Sequence, residues 1–296
     1  MAASLLSSFG AATLLVLTLR FVCFLRPYAR PSTLKRYLGN GEAWALVTGA
    51  SDGIGLAFVQ ELAQRGFNVV IHGGNSEKLK WIKAQLEQQY PSRHFQTLLL
   101  DARLATTKQI LKLKLPKLAV LVNNIGAGTS DQLWLRFLDR TAEEVADVVT
   151  INATFGAVLT RQLLPGLSRP GLIINVGSVV DSWPSAYLEP YCGTKGFVRS
   201  FSEALRTEMI VEGHDIEIMH LRVFSVATKS SHDAPSFVTS TPRAMAMAGL
   251  DRVGCGAAST AGLLRHGIII WLIELMPRQM LGVSLSGQVK WKIGKG

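Results

Sequence analysis

The chain opens on a mostly apolar stretch, Leu5 to Leu25, which holds Leu14-Leu15-Val16-Leu17 and Phe21-Val22-Cys23-Phe24-Leu25 and is interrupted by Ser7, Ser8, Gly10 and Arg20. About twenty such residues suffice to cross a bilayer. Arg26, Arg30, Lys35 and Arg36 follow at once. Past Gly41 short apolar runs alternate with longer segments of helical spacing, the rhythm of strand-helix-strand units on a parallel sheet. Strands are predicted at Ala43–Val47, Val69–His72, Phe95–Leu100, Leu118–Val122, Leu172–Val176 and Ile216–Val223. Helices are predicted at Gly53–Arg65, from a cap at Ser76, and at Tyr191–Val211. A further long helix opens on the capping-box pattern Thr141-Ala142-Glu143-Glu144 and closes at Pro165-Gly166. After Phe224 the pattern is less regular. The apolar run Ile268–Ile273 is too short to span and is followed by Glu274, so it reads as a lid or a membrane-facing helix. The expected architecture is α/β, a doubly wound parallel sheet in a single domain over residues 41–296, preceded by an anchor and basic linker over 1–40.

With 48% apolar residues among 296, the chain can bury a sizeable core. Its formal charge of +10 suits nucleic acid, an anionic membrane surface or an anionic substrate. No nucleic-acid motif is present, which favours the membrane. The positive-inside tendency would keep the cluster after Leu25 in the cytosol, and the catalytic body with it. Two other readings of residues 5–25 compete. A cleaved signal would want a basic start, which is missing, whereas an interfacial helix gains from Arg20 and the polar interruptions. Cys23, Cys192 and Cys255 are odd in number and form no Cys-x-x-Cys pair, which argues against a disulfide framework and a zinc site and for a reducing compartment. No metal is expected.

Four motifs then arrive in a workable order. A turn from the first strand into a helix must bring backbone N–H groups close to a pyrophosphate, so residues lacking side chains are needed there. Thr48-Gly49-Ala50-Ser51-Asp52-Gly53-Ile54-Gly55 supplies them. Asn123-Asn124-Ile125-Gly126 follows a buried strand, and Asn152 falls within a helical stretch. Ser178 ends the fifth strand, thirteen positions before Tyr191, and Lys195 stands one helical turn beyond the Tyr. Reducing a ketone needs a proton donor for its oxygen, and a lysine ammonium beside a phenol would favour the phenolate for the reverse direction. Tyr191 is therefore the candidate acid/base, Lys195 its partner, and Ser178 the donor that polarises the substrate oxygen. Each has a plainer reading: Tyr-x-x-x-Lys alone fits many helices, Ser178 could be an ordinary strand end, and Asn152 a tolerated helix residue. Tyr187 is a nearby rival that lacks a Lys four residues on, and Cys192 lacks an activating base.

Together these residues resemble the short-chain dehydrogenase/reductase family over about residues 41–285, which implies a Rossmann-like fold and a nicotinamide cofactor. The resemblance places Gly49, Ser51, Asp52, Gly53, Ile54 and Gly55 at the cofactor, Asn124 and Gly126 on its adenosine side, and Asp101 at the adenine. It implies that Asn152 holds a water against Lys195, that Tyr191 and Lys195 also touch the cofactor, and that Val226 and Thr228 meet the nicotinamide. The second strand ends in His72-Gly73-Gly74-Asn75, without the carboxylate of NAD-selective sites, which favours NADP and leaves NAD open. Relatives that use NADP commonly carry Arg where Gly74 stands, so Asn75, Ser76 and Lys78 are the candidate substitutes.

The run Val226-Ala227-Thr228-Lys229, with the glycine turn and the anchor, resembles the branch containing very-long-chain 3-oxoacyl-CoA reductases and 17β-hydroxysteroid dehydrogenases of the endoplasmic reticulum; Val223 departs from the Pro usual there. That implies a membrane enzyme of the endoplasmic reticulum facing the cytosol, reducing a ketone on a hydrophobic substrate, a 3-oxoacyl-CoA or a steroid. Ser130–Asp139 and Ser230–Met247 would be the substrate loops. The tail Lys290–Gly296 lacks the paired lysines of a retrieval signal. A tailoring dehydrogenase of a terpenoid or polyketide pathway is the second enzyme reading, and a membrane-tethered non-catalytic scaffold is the reading from another class. The helices after 141 and 191 resemble those that pair subunits in this family, which leaves a homodimer open.

Overall fold

The computed structural model describes residues 2–126, 134–229, 231 and 233–276. A long helix, α1 (Ala2–Ala29), leads into β1 (Trp44–Val47), α2 (Gly53–Gln64), β2 (Asn68–Gly73), α3 (Ser76–Gln89) and β3 (Phe95–Leu99). A short α4 (Thr107–Leu111) precedes β4 (Leu118–Asn123), α5 (Ala142–Val149), α6 (Phe155–Leu163), β5 (Gly171–Val176) and α7 (Glu189–Val211). Then come β6 (Ile216–Arg222), the small pair β7 (Ser225–Val226) and β8 (Thr239–Ser240), α8 (Pro242–Asp251), β9 (Ser259–Ala261) and α9 (Leu264–Ile273).

Seven strands form one parallel sheet in the order β3-β2-β1-β4-β5-β6-β9. Helices cover both of its faces, so strands such as Leu118–Asn123 and Gly171–Val176 are apolar on both sides rather than alternating. Neighbouring residues of one strand serve opposite cores. Val47 packs with Phe58, Leu62 and Met245, whereas Leu46 packs with Leu121, Phe155 and Leu159. The strand order reverses between β1 and β4, and a crevice opens there at the carboxyl ends of the strands, the place where doubly wound sheets bind ligands.

The structure departs from the sequence expectations in three places. Asn75, not Ser76, caps α3, its Oδ1 accepting from the Lys78 N–H at 2.8 Å. The long helix expected from Thr141 does begin with the reciprocal Thr141–Glu144 capping box, but a wider π turn at Thr150–Thr154 interrupts it. Asn152 lies in that turn and donates its Nδ2 to the Val148 carbonyl at 2.9 Å. Beyond Phe224, where the pattern reads as irregular, α8, β9 and α9 complete the sheet edge.

Among the described residues, Ser7–Ala29 is the one helix long and apolar enough to cross a membrane by length and composition. Its C-terminal turn and the segment after it are fastened to the body. Phe21 meets Trp271 of α9 edge-on at 5.3 Å, Arg252 donates to the Pro27 carbonyl at 2.9 Å, and Ser32 donates to the Leu250 carbonyl at 2.7 Å. Leu34 and Tyr37 are buried in the main core. The basic cluster is partly engaged by the protein itself: Arg30 donates to the Cys255 carbonyl, and Arg36 pairs with Asp215 at 2.7 Å.

Candidate active site

The glycine turn between β1 and α2 is held from beneath by Thr48 and Asn124. Thr48 Oγ1 accepts from the N–H groups of Asn124 (2.9 Å) and Ile125 (3.1 Å). The Asn124 amide donates to the carbonyls of Thr48 (3.0 Å) and Gly49 (3.2 Å). Its side chain is thus occupied in shaping the turn, although the residue still lines the crevice. Gly49 sits at φ +61, and a Cβ on Gly55 would stand 2.2 Å from the Gly49 carbonyl oxygen, so the α2 N-terminus approaches β1 only because that atom is missing. Asp52 caps α2, accepting from the Gly53 N–H at 2.8 Å. Burial opposes its charge, but hydrogen bonds from Lys78 and Gly53 hold its carboxyl below the usual carboxylate range. Two ammonium groups meet that carboxylate, Lys78 at 3.0 Å and Lys229 at 3.5 Å.

A cleft of about 340 Å³ runs from this turn to the end of β5. Of the residues singled out from the sequence, Gly49, Ser51, Asp52, Gly53, Ile54, Gly55, Asn124, Gly126, Ser178, Tyr191, Lys195 and Thr228 line it. Five others are placed off its wall. Asn75 and Lys78 belong to the start of α3, with Lys78 tied to Asp52 at the rim. Asp101 lies beside Gly74, where a Cβ would stand 3.8 Å from its Cα, and its carboxylate pairs with Arg103 at 2.9 Å. Val226 is buried in β7, its carbonyl accepting from Ser231. Asn152 is buried, but the point a Gly126 Cβ would occupy is 2.9 Å from its Oδ1 and 3.1 Å from Lys195 Nζ, so the two side chains flank one spot. The sequence reasoning did not assign Gly177, Phe224 or Lys229 to the cleft; Lys229 stood in the quoted Val-Ala-Thr-Lys run and could have been read. The substrate loops are described only in part: residues 127–133, Ser230 and His232 lie outside the described residues, as does Lys290–Gly296.

Ser178 and Tyr191 both line the cleft, and the Ser178 side chain acts on the Tyr191 hydroxyl. Lys195 Nζ sits 5.4 Å from the centre of the Tyr191 ring and donates to the Val176 carbonyl at 3.2 Å. Burial pushes the Tyr191 hydroxyl up to about 12, against the smaller lowering effect of Ser178, so the phenol holds its proton. Burial likewise pushes Lys195 down to about 8, with Asp181 opposing. Burial, and not the Lys195 ammonium, thus sets where the Tyr191 hydroxyl holds its proton. Tyr187 adopts φ +71 in a loop, its carbonyl engaged by Arg140, and is not among the cleft-lining residues. The Cys192 thiol is buried and pushed up by that burial, so it is held as the unreactive thiol.

The short chain dehydrogenase family matches residues 43–237. A very-long-chain 3-oxoacyl-CoA reductase of Coprinopsis cinerea is 35% identical over 262 residues, covering 86% of this chain and 76% of that one. The corresponding reductase of Caenorhabditis elegans is 32% identical, covering 87% and 83%. Among solved structures, a short-chain dehydrogenase from Sphingobium yanoikuyae in complex with NADPH superposes with a TM-score of 0.65 at 25% identity, covering 81% of this chain and 94% of that one. A 7β-hydroxysteroid dehydrogenase reaches 0.71 at 17% identity and shares the fold. The glycine turn at the switch point and the Ser178, Tyr191 and Lys195 group at the end of β5 thus belong to an oxidoreductase of the short-chain dehydrogenase/reductase family, in the branch of the very-long-chain 3-oxoacyl-CoA reductases.

Proposed function

We propose that the protein is a membrane-anchored, NADPH-dependent reductase of long 3-oxoacyl-CoA thioesters. The observation that carries this reading is that Ser178 and Tyr191, with the Lys195 ammonium 5.4 Å from the centre of the Tyr191 ring, line one cleft built for a dinucleotide. The cradle fits such a cofactor because the absent Cβ of Gly55 and the N-terminus of α2 leave room and N–H donors for a pyrophosphate. When bound, NADPH supplies a hydride to the keto carbon. Ser178 Oγ donates a hydrogen bond to the keto oxygen, and the Tyr191 hydroxyl delivers the proton that completes the alcohol. A phenol held near 12 is poised as donor, the protonation state that reduction needs. Lys195 attracts the negative charge left on the Tyr191 oxygen, and Asn152 beside it marks where a proton can be resupplied.

The chain supports NADP over NAD at two points. The end of β2 carries no carboxylate to repel a 2′-phosphate, and Lys78 and Lys229 bring two positive charges to the rim. The substrate class comes from the relatives' names, from the formal charge of +10, which suits anionic CoA, and from α1, which would bring the cleft to a bilayer where acyl chains dissolve. We place the enzyme on the endoplasmic reticulum with its body in the cytosol, the side favoured by Arg26, Arg30, Lys35 and Arg36. An apolar hollow between α5 and α7, lined by Val145, Val149 and Phe197, is the surface we assign to a homodimer. Membership of an oxidoreductase family sets the scaffold reading aside.

The test is NADPH oxidation by the full-length protein in membranes, with a long-chain 3-oxoacyl-CoA and a steroid ketone side by side. Turnover of the acyl-CoA is expected. Turnover of the steroid alone, or of neither, would overturn the proposed substrate.

A further inference from the structure

Behind the cleft lies a charged group that the proposed reaction does not consume. Asp181 ends the tight turn that begins at Ser178, and its N–H closes that turn on the Ser178 carbonyl at 3.1 Å. The turn hangs from β6 and the residue after it: the Gly177 N–H donates to the Leu221 carbonyl (2.8 Å) and the Val179 N–H to the Val223 carbonyl (3.0 Å). The Asp181 carboxylate is fully buried. It accepts from Arg222 Nη2 at 2.9 Å, and Arg199 Nη1 and His220 Nε2 each lie 3.9 Å away. Arg222, itself nearly buried, continues to Ser182 Oγ at 3.0 Å and to Glu274, just past α9, at 2.8 Å. Arg199 stands one turn after Lys195 on α7 and also bonds Ser182.

A buried ion pair is a poor way to gain stability, since apolar residues of similar volume often do as well or better. What apolar residues cannot supply is a fixed negative charge at a chosen place. We propose that Asp181 is a positioning residue for reduction: clamped by Arg222, its carboxylate fixes where Ser178 stands and sets a negative charge against α7, the helix that carries Lys195. This rests on the roles proposed above for Ser178, Tyr191 and Lys195. The groups that act on Lys195 are Tyr191 on its own helix, Asn152 on the π turn, His220 on β6 and Asp181 on the turn; Arg199 and Arg222 lie against Asp181, and Glu274 beyond Arg222. Asp181 is the acidic one whose charge opposes the fall that burial imposes on Lys195. His220 is held neutral, pushed down to about 3 by burial and by Arg222, Arg199 and Lys195. Without the Asp181 charge, the fall that burial imposes on Lys195 would lose its opposition, and Lys195 would give up its proton at lower pH.

The decisive variant is Asp181→Asn, which keeps the size and removes the charge. In the full-length protein kcat for ketone reduction should fall about 100-fold, the scale of a 1 Å misplacement, with KM little changed. The alkaline limb of the pH–rate profile, expected at about 8 in the native protein, should move to lower pH. The Asp181 and Ser182 amides should exchange faster with deuterium. Asp181→Glu, with the charge kept on a longer arm, should lower kcat while holding the limb near 8, and Glu274→Gln should leave limb and turn unchanged. Native kcat and limb in Asp181→Asn would overturn the proposal, as would a slow variant with the native limb and a protected turn. If Asp181→Asn does not fold, native kcat in both Asp181→Glu and Arg222→Lys overturns it instead. Should the native protein reduce no ketone, the functional reading fails by itself. The proposal is then decided by deuterium exchange of the turn and by the pH dependence of Lys195 acylation with acetic anhydride, which must shift to lower pH in Asp181→Asn.

Discussion

The two sides of the cleft are built by different means. On the dinucleotide side the structure relies on missing atoms and on backbone: Gly49 at φ +61, Gly55 pressed against the Gly49 carbonyl, and Thr48 and Asn124 stitching the turn with uncharged hydrogen bonds. On the catalytic side it relies on buried side-chain charge: Lys195 over the Tyr191 ring, Asp181 between Arg222 and Arg199, and His220 held neutral. A pyrophosphate is bound well by N–H groups that need no reorganisation, whereas moving a proton requires groups whose ionisation has been tuned. Damage to the glycine turn should therefore be steric and indifferent to pH, and damage to the catalytic side should register in ionisation.

The largest effect expected is on the catalytic side. Tyr191→Phe should lower turnover by about 10²–10⁴-fold, the span a positioned general acid supplies, while NADPH binding measured by fluorescence stays near native. Ketone reduction by that variant at the native rate would remove Tyr191 from its role. Next comes Gly55→Ala, where the added atom would meet the Gly49 backbone, which cannot rotate away, as well as the Asn124 side chain. A loss of about 1–3 kcal/mol in denaturant-derived stability is expected, with NADPH bound about tenfold more weakly. The pH midpoint of whatever rate remains should not move, and a moved midpoint would erase the contrast between the two sides. Third, native reduction should be level below pH about 8 and fall as pH rises through it, because Lys195 carries its charge below that value and loses it above. A limb near 10 would show that burial does not depress Lys195. The smallest effect is at the rim: Lys78→Glu should weaken NADPH binding severalfold and NADH binding less, since a like charge is placed where a 2′-phosphate would lie. Equal losses would take Lys78 away from that phosphate.

Legibility in the sequence followed the same division. Gly49, Gly53 and Gly55 are recognisable because a tight strand-to-helix turn tolerates few residues, and the buried parallel strands announced themselves as apolar runs. Small local choices were harder: Asn75 competes with Ser76 as a cap, and only the hydrogen bond to the Lys78 N–H decides. The π turn at Thr150–Thr154 left no mark, since the same residues would satisfy an unbroken helix. After Phe224 the sequence showed only the apolar run Ile268–Ile273 of α9, because β9 is three residues long and α9 is apolar nearly all round, so neither shows a period.

What the sequence by itself determined is whatever rests on local spacing: the strand-helix rhythm, the glycine turn, Tyr191 and Lys195 on one helical face, and an apolar helix long enough for a bilayer. What only the tertiary structure decided is which charges meet. Asp181 and Arg222 lie 41 residues apart, Lys78 and Asp52 lie 26 apart, and Arg252 reaches back across 225 residues to Pro27. Periodicity acts over a few residues through backbone geometry, but an ion pair acts through space and is fixed only when folding brings its partners to one place and removes the water between them.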